Sequence, residues 1–260
     1  MKIATWNVNS ARARHDRIID VLKRHNLDVL AIQETKCPAQ KWDVSAIEAL
    51  GYKVCVHGIN QWNGVGIISR VGLTQVMKEF PQQPSFKDVV EPRALGALCG
   101  GVTIWSLYVP HGRALDNPHF TYKLAWLDAL RAHATEWLNK DPQAAFILMG
   151  DWNIAPLDCD VWDISVFEGD THVSDRERRA FSSFEDAGLS EVTREYAPGY
   201  TYWDYRLLRF VKNEGMKIDF ALASPSVKKR VVNAFIDREE RKGKGASDHV
   251  PVIIELDDTP

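Results

Sequence analysis

A chain of 260 residues, 45% hydrophobic and 26% charged, has the composition of a globular protein with a substantial core. No apolar stretch approaches the roughly 18 residues of a membrane-spanning helix, and we expect no signal peptide, because the chain opens on a strand-like run. The four scattered cysteines exclude a paired-cysteine zinc site and favour a reducing compartment, so we expect a cytoplasmic protein, nucleoid-associated if bacterial. Because the net charge is −3, a nucleic acid would have to bind a local basic surface.

The first predicted elements are a strand, a helix and a second strand. Residues 2–7 have the pattern of a strand that ends at Asn7, and apolar residues then recur at helical spacing around residues 18–22 within a basic segment. The apolar run 29–32 is the next buried strand, and Glu34 follows it closely. A polar side chain therefore stands at the end of each of these strands.

Two hairpins are predicted next. Four short segments separated by turns form them, over residues 52–56 with 64–69 and 94–99 with 102–108. The last of these strands ends at Tyr108, and His111 and Arg113 follow. A phenol, an imidazole and a guanidinium thus come directly after one strand.

The strand with the clearest functional signal comes after a predicted amphipathic helix over residues 120–138. The apolar run 146–149 stops at a glycine, and Asp151 and Asn153 lie just beyond it. An uninterrupted apolar run is typical of a strand buried on both faces, and ligands bind at the carboxyl ends of such strands. Taken alone, this Gly-Asp-Trp-Asn sequence fits a simple turn equally well.

The C-terminal part is predicted to hold a long irregular segment, a short helix and the last strands. Residues 155–175 are polar, and loops of this length are usually functional or disordered. The remaining elements are expected as a helix over 178–187, a strand over 218–223, a glycine-rich basic loop over 242–249 and a strand over 250–256. Because no linker rich in Pro, Gly or Ser interrupts the chain, we expect one domain over residues 1–260.

Polar residues at strand ends or in adjacent loops would form a single acidic site if the fold brings them to one rim. Oxygen ligands without cysteine suit Mg²⁺ or Mn²⁺. A carboxylate that does not bind the metal can deprotonate water, and a cationic imidazole can offset charge on a phosphate. Singly, each residue has a simpler explanation, with Glu34 on the surface, Asp248-His249 in a turn and Tyr108 in the core.

Six motifs in order resemble the exonuclease III family of apurinic/apyrimidinic endonucleases, within the endonuclease/exonuclease/phosphatase superfamily. They are Trp6-Asn7-Val8-Asn9-Ser10, Gln33-Glu34-Thr35-Lys36, Tyr108-Val109-Pro110, Gly150-Asp151-Trp152-Asn153-Ile154, Lys217-Ile218-Asp219 and Ser247-Asp248-His249-Val250-Pro251. The resemblance covers almost the whole chain. It implies an α/β four-layer sandwich, with two packed mixed sheets flanked by helices, and Mg²⁺-dependent hydrolysis of phosphodiesters in damaged DNA.

The resemblance also implies roles for individual residues. Glu34 would be the principal metal ligand, with Asn7 and Asp248 near the metal. Asp151 would activate or orient the attacking water, and His249, paired with Asp219, would contact a non-bridging oxygen. The residues that would hold the scissile phosphate or its leaving group are Tyr108 and Asn153.

Substrate contacts are implied at an apolar slot and around it. The slot accepts a flipped-out deoxyribose without a base, and Tyr202, Met216 and Ile218 would line it. Tyr202 and Met216 differ from the aromatic residues of some relatives, which leaves open the balance between cutting at abasic sites and trimming 3′ ends. His111 stands where the family usually has an amide, and it would bind phosphate in a more pH-sensitive way. The other expected substrate contacts are Arg93, Arg113, Trp203 and Arg206.

DNA is the expected partner of a monomeric enzyme that incises 5′ to abasic sites and clears blocked 3′ ends. Local basic groups would bind the phosphates without reading sequence, namely Arg12, Arg14, Arg93, Arg113, Arg206, Arg209 and Lys242–Lys244. One alternative is a phosphodiesterase of the same superfamily that acts on RNA, inositol phosphates or sphingolipid. Another is a DNA-end-binding protein with little or no catalysis, although acidic groups that face a phosphate weaken binding unless a metal neutralises them.

Overall fold

Two six-stranded sheets form the centre of the computed structural model, which describes residues 1–257. The strands are β1 Lys2–Asn7, β2 Val29–Gln33, β3 Lys53–His57, β4 Val65–Ser69, β5 Thr74–Met77, β6 Ala94–Cys99, β7 Val102–Tyr108, β8 Phe146–Asp151, β9 Ser190–Glu191, β10 Asp219–Ala223, β11 Val231–Ile236 and β12 Val252–Leu256. The α-helices are α1 His15–Arg24, α2 Ser45–Glu48, α3 Pro118–Lys140, α4 Asp175–Asp186, α5 Arg209–Lys212 and α6 Pro225–Lys228. None of the helices among the described residues combines the length and the hydrophobicity required to cross a bilayer.

The two sheets have the same internal plan. One has the order β11-β12-β1-β2-β4-β3, and the other has the order β5-β6-β7-β8-β10-β9. A parallel pair lies at the middle of each sheet, β1 with β2 and β7 with β8, and the remaining pairs are antiparallel. Both sheets are therefore mixed, and in each of them two central strands end at the same edge.

Three apolar clusters separate four layers. In β2, Val29 and Ala31 pack between the sheets, whereas Leu30 and Ile32 pack beneath α1 on the outer face. The same alternation in β8 divides its apolar residues between the inter-sheet core and the cluster beneath α3 and α4. Burial on both faces explains why these strands are continuous apolar runs in the sequence. The order helix, sheet, sheet, helix confirms the predicted four-layer α/β sandwich.

Local sequence signals explain where α3 and α4 begin, the two helices that cover the outer face of the sheet containing β8. α3 starts after Asn117, whose side chain accepts a hydrogen bond from the backbone N–H of His119 at 2.9 Å, and Pro118 occupies its first turn. α4 starts with a capping box between Ser174 and Glu177. Both helices begin next to loops at the edge of the sheets where the polar strand ends predicted from the sequence meet.

The predicted strands and longer helices are confirmed to within a few residues, but several elements were not predicted. The missed strands β5, β9 and β11 are short or largely exposed, so they lack the apolar run that marks a central strand. The segment expected to be irregular contains two 3₁₀ turns, Asp158–Asp160 and Ile164–Phe167. Its ordered packing comes from contacts with other segments, which local periodicity does not encode.

We expect Gly150→Ala to destabilise the protein and displace Asp151. A Cβ at Gly150 would lie 1.9 Å from the carbonyl oxygen of Leu107 on the adjacent strand β7, so the two strands would have to separate. Overpacking of this kind costs about 3 kcal/mol, and chemical denaturation would measure it. The matched control is Gly101→Ala, which has open space around its Cβ and only a left-handed φ, so it should cost about 1 kcal/mol. Equal losses in the two variants would contradict the steric explanation.

Candidate active site

The ends of five strands from both sheets meet at one edge of the sandwich. Asn7 ends β1, Asp151 ends β8, and Glu34 follows β2. Because β10 runs antiparallel to β8, its first residue, Asp219, lies directly opposite Asp151. His249 precedes β12, which runs antiparallel to β1. The structure thus brings the predicted polar strand ends together.

Asn7 connects the two sheets within this site. Its amide nitrogen donates to Glu34 Oε1 at 2.8 Å and to Asp151 Oδ2 at 2.9 Å. Its amide oxygen accepts the backbone N–H of Asn9 at 3.0 Å. Asn7 is therefore placed as a hydrogen-bond donor between two carboxylates, and its oxygen is already engaged.

Two residues that belong to the six motifs but were given no role, Lys36 and Asn9, complete the Glu34 side of the site. Lys36 Nζ lies 2.7 Å from Glu34 Oε2 and also donates to the Asn9 side-chain oxygen. Asn9 in turn donates to Asp248 Oδ1 at 3.0 Å. Burial alone would raise the pKa of Glu34, but Lys36 and Asn7 hold that pKa below its ordinary value. Glu34 consequently stays a carboxylate at neutral pH.

His249 lies between two aspartates. Its Nδ1 is 2.9 Å from Asp219 Oδ2, and its Nε2 is 3.7 Å from Asp151 Oδ2. Burial lowers the pKa of His249, but the negative charges of Asp219 and Asp151 outweigh burial and raise this pKa to about 10. Burial is also the main cause that raises the pKa of Asp151 to about 7, while His249 opposes the increase. His249 is therefore an imidazolium, and it lies beside the Asp151 carboxyl group, which titrates near neutral pH.

The donor set fits a hard divalent cation. Glu34, Asp151, Asp219 and Asp248 supply carboxylate oxygens at this edge, which is the ligand type that Mg²⁺ and Mn²⁺ prefer. Within residues 1–257, the buried Oδ1 of Asp219 has no hydrogen-bond partner and is available to a cation or a water. Ligand atoms of Asp151, Asp219 and His249 also lie within 4.8 Å of one another. Because His249 is protonated in this arrangement, it is better suited to donating a hydrogen bond than to binding a metal.

Tyr108 and Arg93 form a stacked pair beside Asp151. Tyr108 lies opposite Asp151 across β7 and β8, and the Arg93 guanidinium covers its ring at 4.8 Å from the centroid. Arg93 is 6% exposed and pairs with Glu91 at 2.6 Å. Burial and the charge of Glu34 raise the pKa of Tyr108 well above its ordinary value, so the phenol keeps its proton. The prediction that Arg93 contacts DNA from the surface is corrected, since it lies beneath Tyr108.

Asn153, His111 and His172 form the opposite border of the site. The Asn153 backbone N–H donates to Asp151 Oδ1 at 2.9 Å, and its side-chain oxygen lies 3.3 Å from His172 Nε2. The His172 ring meets the His111 ring edge to face at 4.6 Å. Desolvation by the surrounding residues and the positive charge of Lys123 lower the pKa of His111 to about 4, so its imidazole is uncharged near neutral pH. The predicted pH sensitivity of His111 therefore falls in the acidic range, and His172 was not predicted by any local motif.

The predicted slot residues also lie together next to His249. Met216 and Ile218 belong to an apolar cluster with Ala155, Val161 and Val173, against which Tyr202 packs. The Tyr202 ring lies 4.9 Å from the His249 ring. A cleft of about 170 Å³ opens between Tyr202, Met216 and the 3₁₀ turn that contains Phe167.

Trp203 does not line this cleft. It is 1% exposed, and its ring packs against Phe210 at 5.1 Å and beneath Arg238. The prediction that Trp203 contacts substrate is therefore corrected, because its neighbour Tyr202 faces the site while Trp203 points into the protein. Alternation along an extended segment turns consecutive side chains in opposite directions.

The predicted basic residues divide into exposed groups and groups that hold loops together. Those exposed to solvent are Arg12, Arg113, Arg206, Lys242 and Lys244. Arg14 donates to the backbone oxygens of Asn9 and Ala246 and to the Tyr205 hydroxyl, and Arg209 pairs with Glu214 at 2.5 Å. Arg14 and Arg209 are thus mainly structural.

Two exposed leucines between Arg206 and Arg209 were not predicted. Leu207 and Leu208 are each 68% exposed, and their φ angles are 57° and 56°. Left-handed backbone is rare for leucine, and two exposed leucines in succession are unusual on a polar surface. They lie between Arg206 and Arg209, close in the chain to Tyr202.

Comparisons with known proteins match residues 4–249 to the model of the endonuclease/exonuclease/phosphatase family. An exodeoxyribonuclease of Bacillus subtilis strain 168 is 28% identical over 263 residues, which cover 97% of this chain and 98% of that protein. Among solved structures, the 3′ phosphatase NExo from Neisseria bound to a product DNA hairpin has a TM-score of 0.92 at 33% identity, with 99% of each chain covered. An AP endonuclease from Archaeoglobus fulgidus has a TM-score of 0.92 at 31% identity, also with 99% of each chain covered.

We expect His249 to remain an imidazolium up to about pH 10 in protein kept free of metal with EDTA. Because the pKa of His249 is higher in the folded than in the unfolded protein, protonation of His249 stabilises the folded state. This stabilisation is complete below the unfolded pKa of about 6.5. It is lost as the pH rises through the folded pKa of about 10. Asp151 acts in the same sense, since its pKa is raised from 3.8 and its protonated form is favoured in the folded state, so that contribution is lost as the pH rises through about 7. NMR titration of the imidazole signals would measure the pKa of His249.

The control for this titration is Asp219→Asn, which keeps the size of the side chain and removes its charge. The pKa of His249 should then fall toward or below about 6.5, because burial is less opposed. A wild-type pKa near that of free histidine would contradict the expected ion pair.

Proposed function

Since the chain belongs to the endonuclease/exonuclease/phosphatase family, as its motifs predicted, we propose that it is a metal-dependent DNA-repair nuclease acting on 3′ ends and abasic sites of duplex DNA. The observation that carries this proposal is the arrangement in which Asn7 joins Glu34 to Asp151 beside the Asp219–His249 pair. Binding alone would not require so many acidic groups at a phosphate site.

The metal is proposed to be Mg²⁺, with Mn²⁺ as an alternative. Glu34 and Asp248 would hold it, with the free Oδ1 of Asp219 as a further oxygen nearby. A bound divalent cation supplies positive charge that stabilises the charge developing on the phosphate oxygens. The oxygen-only donor set supports this choice over zinc.

The protein's own residues are proposed to supply proton transfer and orientation. Asp151 has a pKa of about 7, which suits a group that accepts a proton from the attacking water near neutral pH. The His249 imidazolium would donate to a non-bridging phosphate oxygen, which is also where negative charge accumulates. Tyr108 and Asn153, which flank Asp151, would hold the phosphate or its leaving group as neutral donors.

Two substrate positions are supported by different observations. NExo, the 33% identical protein, is named a 3′ phosphatase and was solved with a product DNA hairpin, which supports action at 3′ ends. The Archaeoglobus protein is named an AP endonuclease. The cleft of about 170 Å³ at Tyr202 and Met216 would accept a sugar without its base against these two side chains, which supports incision 5′ to abasic sites as a second activity. The rest of its lining includes the charged residues Asp170, Asp204, Arg209 and Glu214.

The DNA-binding surface is proposed to combine exposed cations with an apolar wedge. Lys242 and Lys244 would contact phosphates, and Leu207 and Leu208 would press against bases or sugars. Proteins that kink or open DNA frequently insert apolar side chains between base steps. The left-handed backbone at both leucines supports a role for this turn, since strained conformations cluster at functional positions.

The remaining expectations are kept as proposals. We propose that residues 1–260 act as one domain and as a monomer in the cytoplasm. Support for one domain comes from the inter-sheet core, to which strands of both sheets contribute.

We expect Asp151→Asn to lower kcat by about 10²–10⁴-fold, because an amide cannot accept the proton of the attacking water. The assay uses two labelled duplexes, one with a 3′ phosphate and one with an internal stable abasic analogue, each with Mg²⁺ or EDTA. The matched control is Asp128→Asn, a side chain that is 72% exposed on α3 and should retain full activity.

The outcomes of this assay separate the possible functions. Metal-dependent loss of the 3′ phosphate alone would identify a 3′-end-processing enzyme, and cutting at both positions would add the abasic activity. Binding without hydrolysis would indicate an end-binding protein. If neither duplex is bound or cut, the DNA substrate is wrong and non-DNA phosphodiesters become the next substrates to test.

We expect the cations and the leucines to contribute differently to DNA affinity. Lys242→Ala and Lys244→Ala should each reduce the slope of log Kd against log salt by about 1. Each variant neutralises one DNA phosphate fewer than the wild type, so binding releases fewer counterions from the DNA. Leu207→Ser with Leu208→Ser should weaken binding by about 1 kcal/mol, roughly fivefold, without changing that slope. Val232→Ser, at a valine that is 55% exposed, is the control. Affinity that does not depend on salt would contradict phosphate contacts altogether.

A further inference from the structure

A buried ion pair lies behind the border of the active site formed by His111, Asn153 and His172. Lys123 of α3 and Glu177 of α4 contact each other, and both side chains are 0% exposed. A buried ion pair often contributes no more stability than apolar residues of the same size, because desolvation of the charges is costly. The contacts of Lys123 and Glu177 indicate that the pair instead holds the main chain of neighbouring loops in place.

Lys123 uses all three of its protons on separate segments. Besides Glu177, its Nζ donates to the backbone oxygen of Asn153 at 2.6 Å and lies 3.3 Å from the backbone oxygen of His111. An ammonium group has three N–H donors, so its hydrogen-bonding capacity is filled. One side chain therefore fixes the main chain of two site residues.

Glu177 fixes the third segment. Its Oε1 accepts the backbone N–H of His172 at 2.9 Å and the Thr171 hydroxyl at 2.7 Å, and its Oε2 accepts the Ser174 hydroxyl at 2.5 Å. Thr171 also lies 3.0 Å from the backbone oxygen of His111, so the segments that contain His111 and His172 meet at this carboxylate.

The backbone held in this way is strained. Asn153 and His172 have φ angles of 51° and 81°, and Arg113, two residues after His111, has a φ of 68°. Non-glycine residues in left-handed conformations persist only where the surrounding structure imposes them. The ion pair supplies hydrogen bonds at the two strained residues themselves and at His111.

We propose that Lys123 and Glu177 are positioning residues, which hold the side chains of His111, Asn153 and His172 against the substrate phosphate by fixing their main chains. This proposal rests on the nuclease function proposed above. Neither residue of the pair touches substrate, because both are fully buried. Misplacement of reacting groups by about 1 Å can reduce a rate by about 100-fold, so a remote pair can govern turnover.

The test compares three variants of the pair with one stability control. Lys123→Met keeps the length of the side chain but has no donors, and Glu177→Gln removes the negative charge. The double variant contains neither charge, so it should fold even where a single variant is destabilised by the remaining unpaired charge. Leu130→Ala, at a fully buried residue of the apolar cluster beneath α3, weakens the same helix without touching the three loops.

The expected result separates positioning from stability. In the single and double pair variants, kcat and kcat/KM on the 3′-phosphate duplex should fall together by about 10- to 100-fold at a temperature where each variant is folded. Thermal unfolding should show that the double variant recovers stability while its kcat stays low. Leu130→Ala should lose stability but keep the wild-type kcat.

A second readout does not depend on DNA. Imidazole NMR signals of His111 and His172, assigned from their glutamine variants, should shift in Lys123→Met and stay in place in Leu130→Ala. Wild-type kcat in the double variant, or equal losses of kcat in Lys123→Met and Leu130→Ala, would overturn the proposal. If wild-type protein fails to hydrolyse DNA, the proposed function is wrong, and the NMR signals alone still decide whether the pair positions the histidines.

Discussion

The crowding of carboxylates at one edge of the sandwich is the constraint on which the rest of the structure depends. Glu34 and Asp151 approach each other closely enough to share the amide of Asn7, and Asp219 lies opposite Asp151 on the next strand. Like charges at such distances repel strongly in a poorly solvated site. Each of them must therefore be offset by a donor, a proton or a cation.

The structure offsets this charge with a different partner on each side. Lys36 neutralises Glu34, and the imidazolium of His249 lies between Asp219 and Asp151. For Asp151 this compensation is incomplete, because burial and then the charge of Asp219 raise its pKa to about 7 although His249 opposes the increase. The group proposed to take the proton from water is thus the one whose charge the fold stabilises least, which is how perturbed acids arise at catalytic sites.

Rigid elements hold the acidic edge, whereas loops hold the substrate-facing border. Strand ends fix Asn7, Asp151 and Asp219, so their separation follows from the register of β8 with β10 and from the packing of the two sheets. His111 and His172 lie on loops, where a buried ion pair supplies the order that strands supply elsewhere. A site on loops needs such support, because the backbone there has no ladder of hydrogen bonds.

The sequence by itself determined the central strands, the longer helices and most of the acidic site. Continuous apolar runs identified the strands buried on both faces, and the polar residue after each run marked the edge where they would meet. Residues such as Glu34, Asp151 and Asp219 were therefore predictable, because their positions follow from local periodicity and from the order of the motifs.

Only the tertiary structure decided which partners these residues meet. His172 reaches the site through a contact with Asn153 that no spacing in the sequence encodes. Arg93 and Trp203 turn inward although their types suggested contact with DNA. Periodicity reports which face of an element is apolar, but the direction of a side chain at a loop or strand end depends on the packing of distant segments. That long-range packing also sets the charge of His249, since its pKa depends on Asp219, which lies 30 positions away in the chain.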